Sequence, residues 1–554
     1  MNPLIIRFRE DINAVVSFFS SLAKKYRTFN AAFDDKTIGR KKGIRVYIFL
    51  STLYITLAAY FMNSHVFSDS VRTAKSLISS LFLVILFYVL LKLVCLKTYN
   101  LYFQIYGEKK PLNETSALYT SLFCFIFFFI LFLVNFPCAM TTDNLSQWYQ
   151  IQSFSFSDWH PVIHTFAMWI LSRIINHYSF IIFCQVLIFS FSLGLLAATM
   201  EAWGFPRSVL LCMTIFFVLN PMVKNILMFA YKDTFFTILI TFLTSALINI
   251  YFSGGKWLSS INNILKVSIC LAFLSIARHN GILFTLPLGI LLLIFYLKNN
   301  LKALLIIPFT LTIVFFVRYP LYSALHVSYP NNAYMESLGV PMTIMCDVVI
   351  KNPDSMPEDA RNLLLDFDKK SDWIQKYELG NFSPAKPYFV ESGIITSLPK
   401  RQFLRMVFGT ILGDPYNSFQ AFRNHSAFVW EIFTVDNSII SAPWKQHIAG
   451  ETNRIKKAIM YLSVFYDNSI TSVLPLGWLF ARNGWQILIL IMAGMIAFYR
   501  IGEKSLALVI PILFYTFSTM MLLSASDLRY FQFNSVIVFP LVLTLLSRKE
   551  IPDA

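Results

Sequence analysis

Residues 116–136 read "SALYTSLFCFIFFFILFLVNF", a run without a single charged side chain. As a helix rising about 1.5 Å per residue, such a run covers about 30 Å, the thickness of a bilayer's hydrocarbon. It lacks the alternation of a barrel strand, so its backbone polar groups find internal partners only in a helix. Comparable runs recur at 44–62, 75–95, 161–176, 179–200, 233–252, 262–277, 281–297, 302–318, 485–500, 505–523 and 530–547. Together they make twelve, and 207–225, broken by Asn220-Pro221, would be a thirteenth. Whole-chain composition agrees: of 554 residues 56% are apolar, 17% aromatic and only 14% charged, too little charge to solvate a globular surface of this size. The expected fold class is all-α, a polytopic helical membrane protein with about 12–13 transmembrane or re-entrant helices.

Charge orients these spans. Arg7, Arg9, Glu10 and Asp11 precede any long apolar stretch, unlike the basic-then-apolar pattern of a cleaved signal peptide, so the first span is expected to remain. Lys24, Lys25, Arg27, Lys36, Arg40, Lys41, Lys42 and Arg45 crowd the approach to that span, which places the N-terminus in the cytoplasm. If 207–225 does not cross, every basic turn (Lys97 and Lys109, Lys298 and Lys302, Arg500 and Lys504) and the tail at Arg548 fall on that same side. Both termini are then cytoplasmic. The net charge of +16 gathers at span ends, where it meets anionic lipid, and is not read as a nucleic-acid footprint.

The chain divides into a basic cytoplasmic arm (1–43), a first helical block (44–318) with an external loop at 137–160, an external, mostly helical insert (319–470) and a C-terminal helical block (471–554). The insert is too long for a plain connection and contains "NPDSMPEDARNLLLDFDKKSDWIQKY" (352–377), a turn followed by an amphipathic helix. No internal repeat and no glycine-rich phosphate cradle is visible, which argues against ATP-driven transport by this chain alone. The seven cysteines form no C-x-x-C pair and read as small apolar fillers.

Just beyond the opening run lies "TTDNLSQWYQIQSFSFSDWHPVIHT" (141–165), rich in polar groups. Asp143, Gln147 and Gln150 stand at i, i+4 and i+7, one face of a short helix whose Leu145, Trp148, Tyr149 and Ile151 turn toward lipid. Pro161 suits the first turn of the next span, with Asp158 as its N-cap, and His160 and the tryptophans read as interfacial residues on the bland reading. Asp143 has no evident local partner. Three other span ends carry ionisable groups: "FAYKDTFF" (229–236), "IARHNGILF" (276–284) and "SASDLRYF" (524–531). Each alone reads equally as an anchor or an interhelical ion pair, but on a twelve-crossing count all share the external side with Asp143. Cations there suit a phosphate, and carboxylates suit a hydroxyl proton or a divalent metal.

With "TTDNLSQWYQ" and "SDWHPVIHT" followed by "YKDTFF", "ARHNG" and "SDLRYF", the chain resembles integral membrane glycosyltransferases of the GT-C superfamily, in their largely uncharacterised bacterial branch. The likeness covers 116–547 in layout, through motifs of a few residues each. It implies a polyprenyl-phosphate-linked sugar as donor, a cell-envelope glycan or lipid as acceptor, a bacterial plasma membrane location and an extracytoplasmic active site. By resemblance Asp143 corresponds to the first-loop catalytic Asp and Asp233 to the second acidic site; His160, Lys232, Arg278 and Arg529 are candidates by position. Gln147, Gln150, Asp158, His164, Asn280, Asp527 and Tyr530 complete the expected substrate-binding set. The absence of a WWDxG motif argues against transfer to protein asparagine.

No cofactor is required by this reading; a divalent metal is compatible with it, though no ligand cluster calls for one. A surface-polysaccharide polymerase or ligase shares the layout but relies on arginines. A lipid-linked oligosaccharide flippase or secondary transporter predicts repeats and mid-membrane charges. A structural or sensory protein would tolerate loss of Asp143.

Overall fold

The computed structural model describes residues 41–62, short pieces between 84 and 104, 110–431, short pieces between 454 and 461, and 482–548, apart from 299, 331, 332 and 526. The basic arm up to residue 40 and most of the expected span at 75–95 lie outside the described residues, as do 432–453 and 462–481. The described chain is helical throughout, save for a two-residue parallel pairing of Phe103–Gln104 with Ser547–Arg548 and two isolated bridges.

The chain forms two compact units, residues 1–102 with 492–503, and residues 103–491 with 504–554. In the first, helix α1 (Lys41–Met62) stacks Tyr47 on Phe498. In the second, the helices follow the apolar runs closely: α2 (Glu114–Asn135), a short α3 (Thr142–Ser153), α4 (Val162–Ile174), α5 (Tyr178–Ala202), α6 (Arg207–Leu219), α7 (Pro221–Leu227), α8 (Lys232–Phe252), α9 (Ile261–Ala277), α10 (Ile282–Tyr296) and α11 (Leu301–Ala324). After the insert come α17 (Asn483–Arg500), which continues into the first unit, α18 (Ile510–Met520) and α19 (Leu528–Leu546). The break between α6 and α7 has a local cause. Pro221 has no N–H to continue the ladder, and the Asn220 side chain accepts from the N–H groups of Met222 and Val223.

Five of the described helices, α2, α5, α8, α11 and α19, are long and apolar enough to cross a membrane. Their burial differs with their place. α8 is the central one, 83% buried and packed against α5, α9 and α19, whereas α2 is 22% buried and α11 17%. α2 turns Leu118, Leu122, Ile126 and Ile130 outward, and α11 turns Leu311, Phe315 and Phe316 outward. Apolar surface arranged this way marks a helical bundle suited to a lipid environment.

The insert carries α12 (Gly339–Lys351), α13 (Glu358–Ser371), α14 (Lys386–Ser392), α15 (Lys400–Gly413) and α16 (Pro415–Trp430). Residues from Met335 to Val407 enclose a hydrophobic core of their own around Trp373, Phe382 and Phe389. The helix expected within 352–377 forms as α13, burying Ala360, Leu364 and Phe367. Its acidic Glu358 and Asp359 sit in the first turn and its Lys369 and Lys370 in the last, matching the helix dipole.

Close packing of α2 on α5 depends on Gly194, where a Cβ would lie 2.0 Å from Ser121 Oγ and 2.5 Å from the Ala117 carbonyl oxygen. Gly194→Val is expected to lower unfolding stability by about 1–3 kcal/mol. Gly289→Ala, where a Cβ meets nothing within 4 Å, is expected to be neutral or mildly stabilising. Thermal unfolding of the two variants in one detergent checks the contrast.

Candidate functional site

A cavity of about 690 Å³ opens in the second unit where separated chain segments meet: the start of α3 and the α3–α4 loop, the start of α8, the α9–α10 turn, the α18–α19 connection and part of the insert. Its wall includes Asp143, His160, Lys232, Arg278, Asn280 and Arg529. Each of the polar span ends singled out in the sequence therefore sends at least one side chain to one space.

Helix termini do the positioning. α3 starts with a capping box in which Thr141 and Asn144 exchange bonds, which puts Asp143 in the first turn. The loop before α8 is held from three sides: Asn144 donates to the Ala230 carbonyl at 2.8 Å, Tyr178 accepts from the Ala230 N–H at 3.0 Å, and Gln185 donates to the carbonyls of Leu227 and Phe229. That fixes Lys232 and Asp233 at the α8 N-terminus. Asp527 caps the turn before α19 by accepting from the Arg529 N–H at 3.0 Å.

Ion pairs join these ends. Arg529 Nη1 bonds Asp143 Oδ2 at 2.9 Å, and its Nε lies 2.7 Å from Asp527 Oδ2. The same guanidinium lies 4.9 Å over the Tyr231 ring. Arg278 pairs with buried Asp233, stacks over Tyr530 at 5.0 Å, and donates through Nε to Asn280, which donates in turn to Thr519. Lys232 differs. Among the described residues it forms no ion pair, and its Nζ lies 3.3 Å from Nδ1 of His160.

Protonation follows from this arrangement. Burial, then the Lys232 ammonium, push the His160 imidazole down to about 3, while Asp143 pulls weakly the other way. The ring is neutral at pH 7, with Nδ1 accepting from Lys232 and the proton assigned to Nε2. Burial opposes ionisation of Asp143, but the Arg529 guanidinium and then the Lys232 ammonium outweigh it and hold the carboxyl below its ordinary value. Burial also lowers His279, whose Nε2 lies 3.4 Å from the Trp159 carbonyl.

Several expected residues take other places. Gln147 and Gln150 turn inward: Gln147 Nε2 bonds Thr165 Oγ1 at 2.8 Å and lies 3.0 Å from His164 Nδ1, and Gln150 accepts from the Ser157 N–H. Gln147 and His164 tie α3 to α4, Gln150 ties α3 to the loop that follows it, and none of the three lines the cavity. Asp158 lines it but does not cap α4, which begins without a side-chain cap; its carboxylate is taken by Tyr322 OH at 2.8 Å and Arg318 at 3.1 Å. Ile151 is buried rather than facing outward, and Trp148 packs edge-on against Tyr178. Asp233 and Asp527 stand behind the wall, bracing its arginines.

The outer wall was not foreseen. Tyr329, Tyr334, Glu336 and Lys386 come from the insert, the last two paired at 2.6 Å. Ile282, Leu283, Leu522 and Leu523 make an apolar side, with Ile282 and Leu522 exposed. No local pattern marks the insert residues, whereas the apolar ones follow directly on "ARHNG" and precede "SDLRYF". Among the described residues no group of three His, Cys, Asp or Glu side chains is arranged to hold a metal. Comparison with protein-family models, with curated proteins and with solved structures finds no match.

Because the folded chain holds His160 far below the ordinary value of about 6.5, the unfolded chain takes up this proton first. Stability therefore falls as pH drops below about 6.5 toward the folded value. Thermal midpoints should decrease from pH 7 to pH 5, and His160→Gln should lessen that decrease. An undiminished decrease in the variant would show that His160 does not contribute.

Proposed function

We propose that the protein is a membrane glycosyltransferase that takes a sugar from a polyprenyl-phosphate donor and passes it to a cell-envelope acceptor on the extracytoplasmic face. The observation that carries this reading is that Lys232, which forms no ion pair among the described residues, faces the same cavity as Asp143. A cation whose nearest polar partner is a neutral imidazole favours an anion beside it, and a phosphate supplies one. A carboxylate kept ionised in the same space is suited to accept a hydroxyl proton.

The step balances without a nucleotide. The acceptor oxygen attacks the anomeric carbon and gives its proton to Asp143, while the bond from that carbon to the phosphate oxygen breaks and the phosphate leaves with the electron pair. Lys232, Arg278 and Arg529 stabilise the charge on the leaving phosphate. His160 positions Lys232. The apolar side at Ile282 and Leu522 suits a lipid tail, which supports a lipid-linked donor over a soluble one. A single displacement of this kind inverts the anomeric centre. The positive-inside bias supports the extracytoplasmic placement, in a bacterial plasma membrane with cytoplasmic termini.

A transport reading would need the charges to line a path through the bundle, whereas they gather at the ends of α8, α9 and α19.

The test uses membranes with equal amounts of wild-type or variant chain and radiolabelled polyprenyl-phosphate sugars. Asp143→Asn is expected to lower incorporation into envelope polymer by about 10²–10⁴-fold. Lys232→Met is expected to raise the donor concentration at half-maximal rate. Undiminished incorporation by Asp143→Asn would overturn the role of Asp143, and label that crosses the membrane without being transferred would favour transport.

A further inference from the structure

A second groove, about 700 Å³, runs along the outward face of α3 and shares Trp159 and Pro330 with the cationic cavity. Thr142, Ser146, Tyr149 and Ser153 line it at i, i+4, i+7 and i+11, and Ser155 and Ser157 close its far side. The two spaces lie on either side of one helix turn, since Thr142 opens into the groove and its neighbour Asp143 into the cavity.

The chemistry of the two spaces differs sharply. The cavity is lined by Lys232, Arg278, Arg529 and Lys386 together with three carboxylates, whereas the groove is lined by hydroxyls, the Gln150 amide, two aromatic rings, Leu145 and Pro330, with no charged side chain. Tyr149, 65% exposed, offers its ring at the groove. Hydroxyls beside an exposed Tyr and a Trp are the combination that meets a sugar ring: the rings cover its C–H face and the hydroxyls exchange hydrogen bonds with its own. Along α3 the lining spans about 16 Å, the reach of a short oligosaccharide.

We propose that this groove binds the acceptor, an uncharged glycan chain of several sugars whose growing end passes Trp159 to reach Asp143. The assignment rests on the transferase reading and narrows it. A phosphate-rich polymer would meet no cation in the groove, and an acidic or basic peptide no counter-charge.

Binding is tested apart from transfer. The full-length chain, purified in detergent, is applied to an array carrying neutral and anionic glycans of graded length, as wild type, Tyr149→Ala, Ser146→Trp and Asp143→Asn. Wild type and Asp143→Asn are expected to bind neutral chains of three or more sugars. Tyr149→Ala, which removes the stacking ring, and Ser146→Trp, which fills the groove, are expected to lose that signal by about tenfold. Binding confined to anionic glycans, binding indifferent to Tyr149 and Ser146, or no binding would each overturn the groove assignment and leave the transferase reading standing. Neutral-glycan binding without any Asp143-dependent transfer would do the reverse.

Discussion

Arg529 holds the site together. Its guanidinium joins Asp143, 386 residues earlier in the chain, to Asp527 beside it, and so ties the turn after the first long apolar helix to the entry of the last. A charged group this deeply placed persists only when opposite charge surrounds it, and here two carboxylates and two aromatic rings do so. The same logic repeats one layer in, where Arg278 has Asp233 and the Tyr530 ring. The arrangement leaves Lys232 as the cation with no carboxylate of its own among the described residues, its nearest partner an imidazole that burial keeps neutral. Balanced charges brace the wall, and Lys232 is left facing the cavity beside an imidazole.

Much of this was legible in the residues. Uninterrupted apolar runs located α2, α5 and α8 almost to the residue, and Asn220-Pro221 located the break between α6 and α7. The polar ends were legible for the same reason: an ionisable group beside such a run is costly, so its presence asks for a partner or a task. Which partner it has is a tertiary fact. Nothing local to Asp143 names Arg529, and nothing local to Asp158 names Arg318 and Tyr322, which take it away from the helix end it was expected to cap.

The inward turn of Gln147 has a physical lesson. On an amphipathic helix lying over an aqueous site, the polar stripe would face the ligand; α3 instead packs that stripe against α4 and the loop before α8, with Asn144 bonded to Ala230 and Gln147 to Thr165. In a bundle whose outward surface is apolar, buried amides are the means of gripping a neighbour. Asp143 faces the cavity because Asn144, Gln147 and Gln150 hold the helix from behind.

The wall contributed by the insert has a different kind of foundation. Glu336 and Lys386 hang from a hydrophobic core that runs from Met335 to Val407 and is closed by its own Trp373, Phe382 and Phe389. The same insert also packs on the α18–α19 connection, with Gly339 against the Leu523 backbone, His425 Nε2 3.3 Å from the Leu523 carbonyl and Phe428 against Phe531. The cavity mouth and its charged floor are therefore mechanically joined, so a change in the insert is felt at the connection that leads to Arg529.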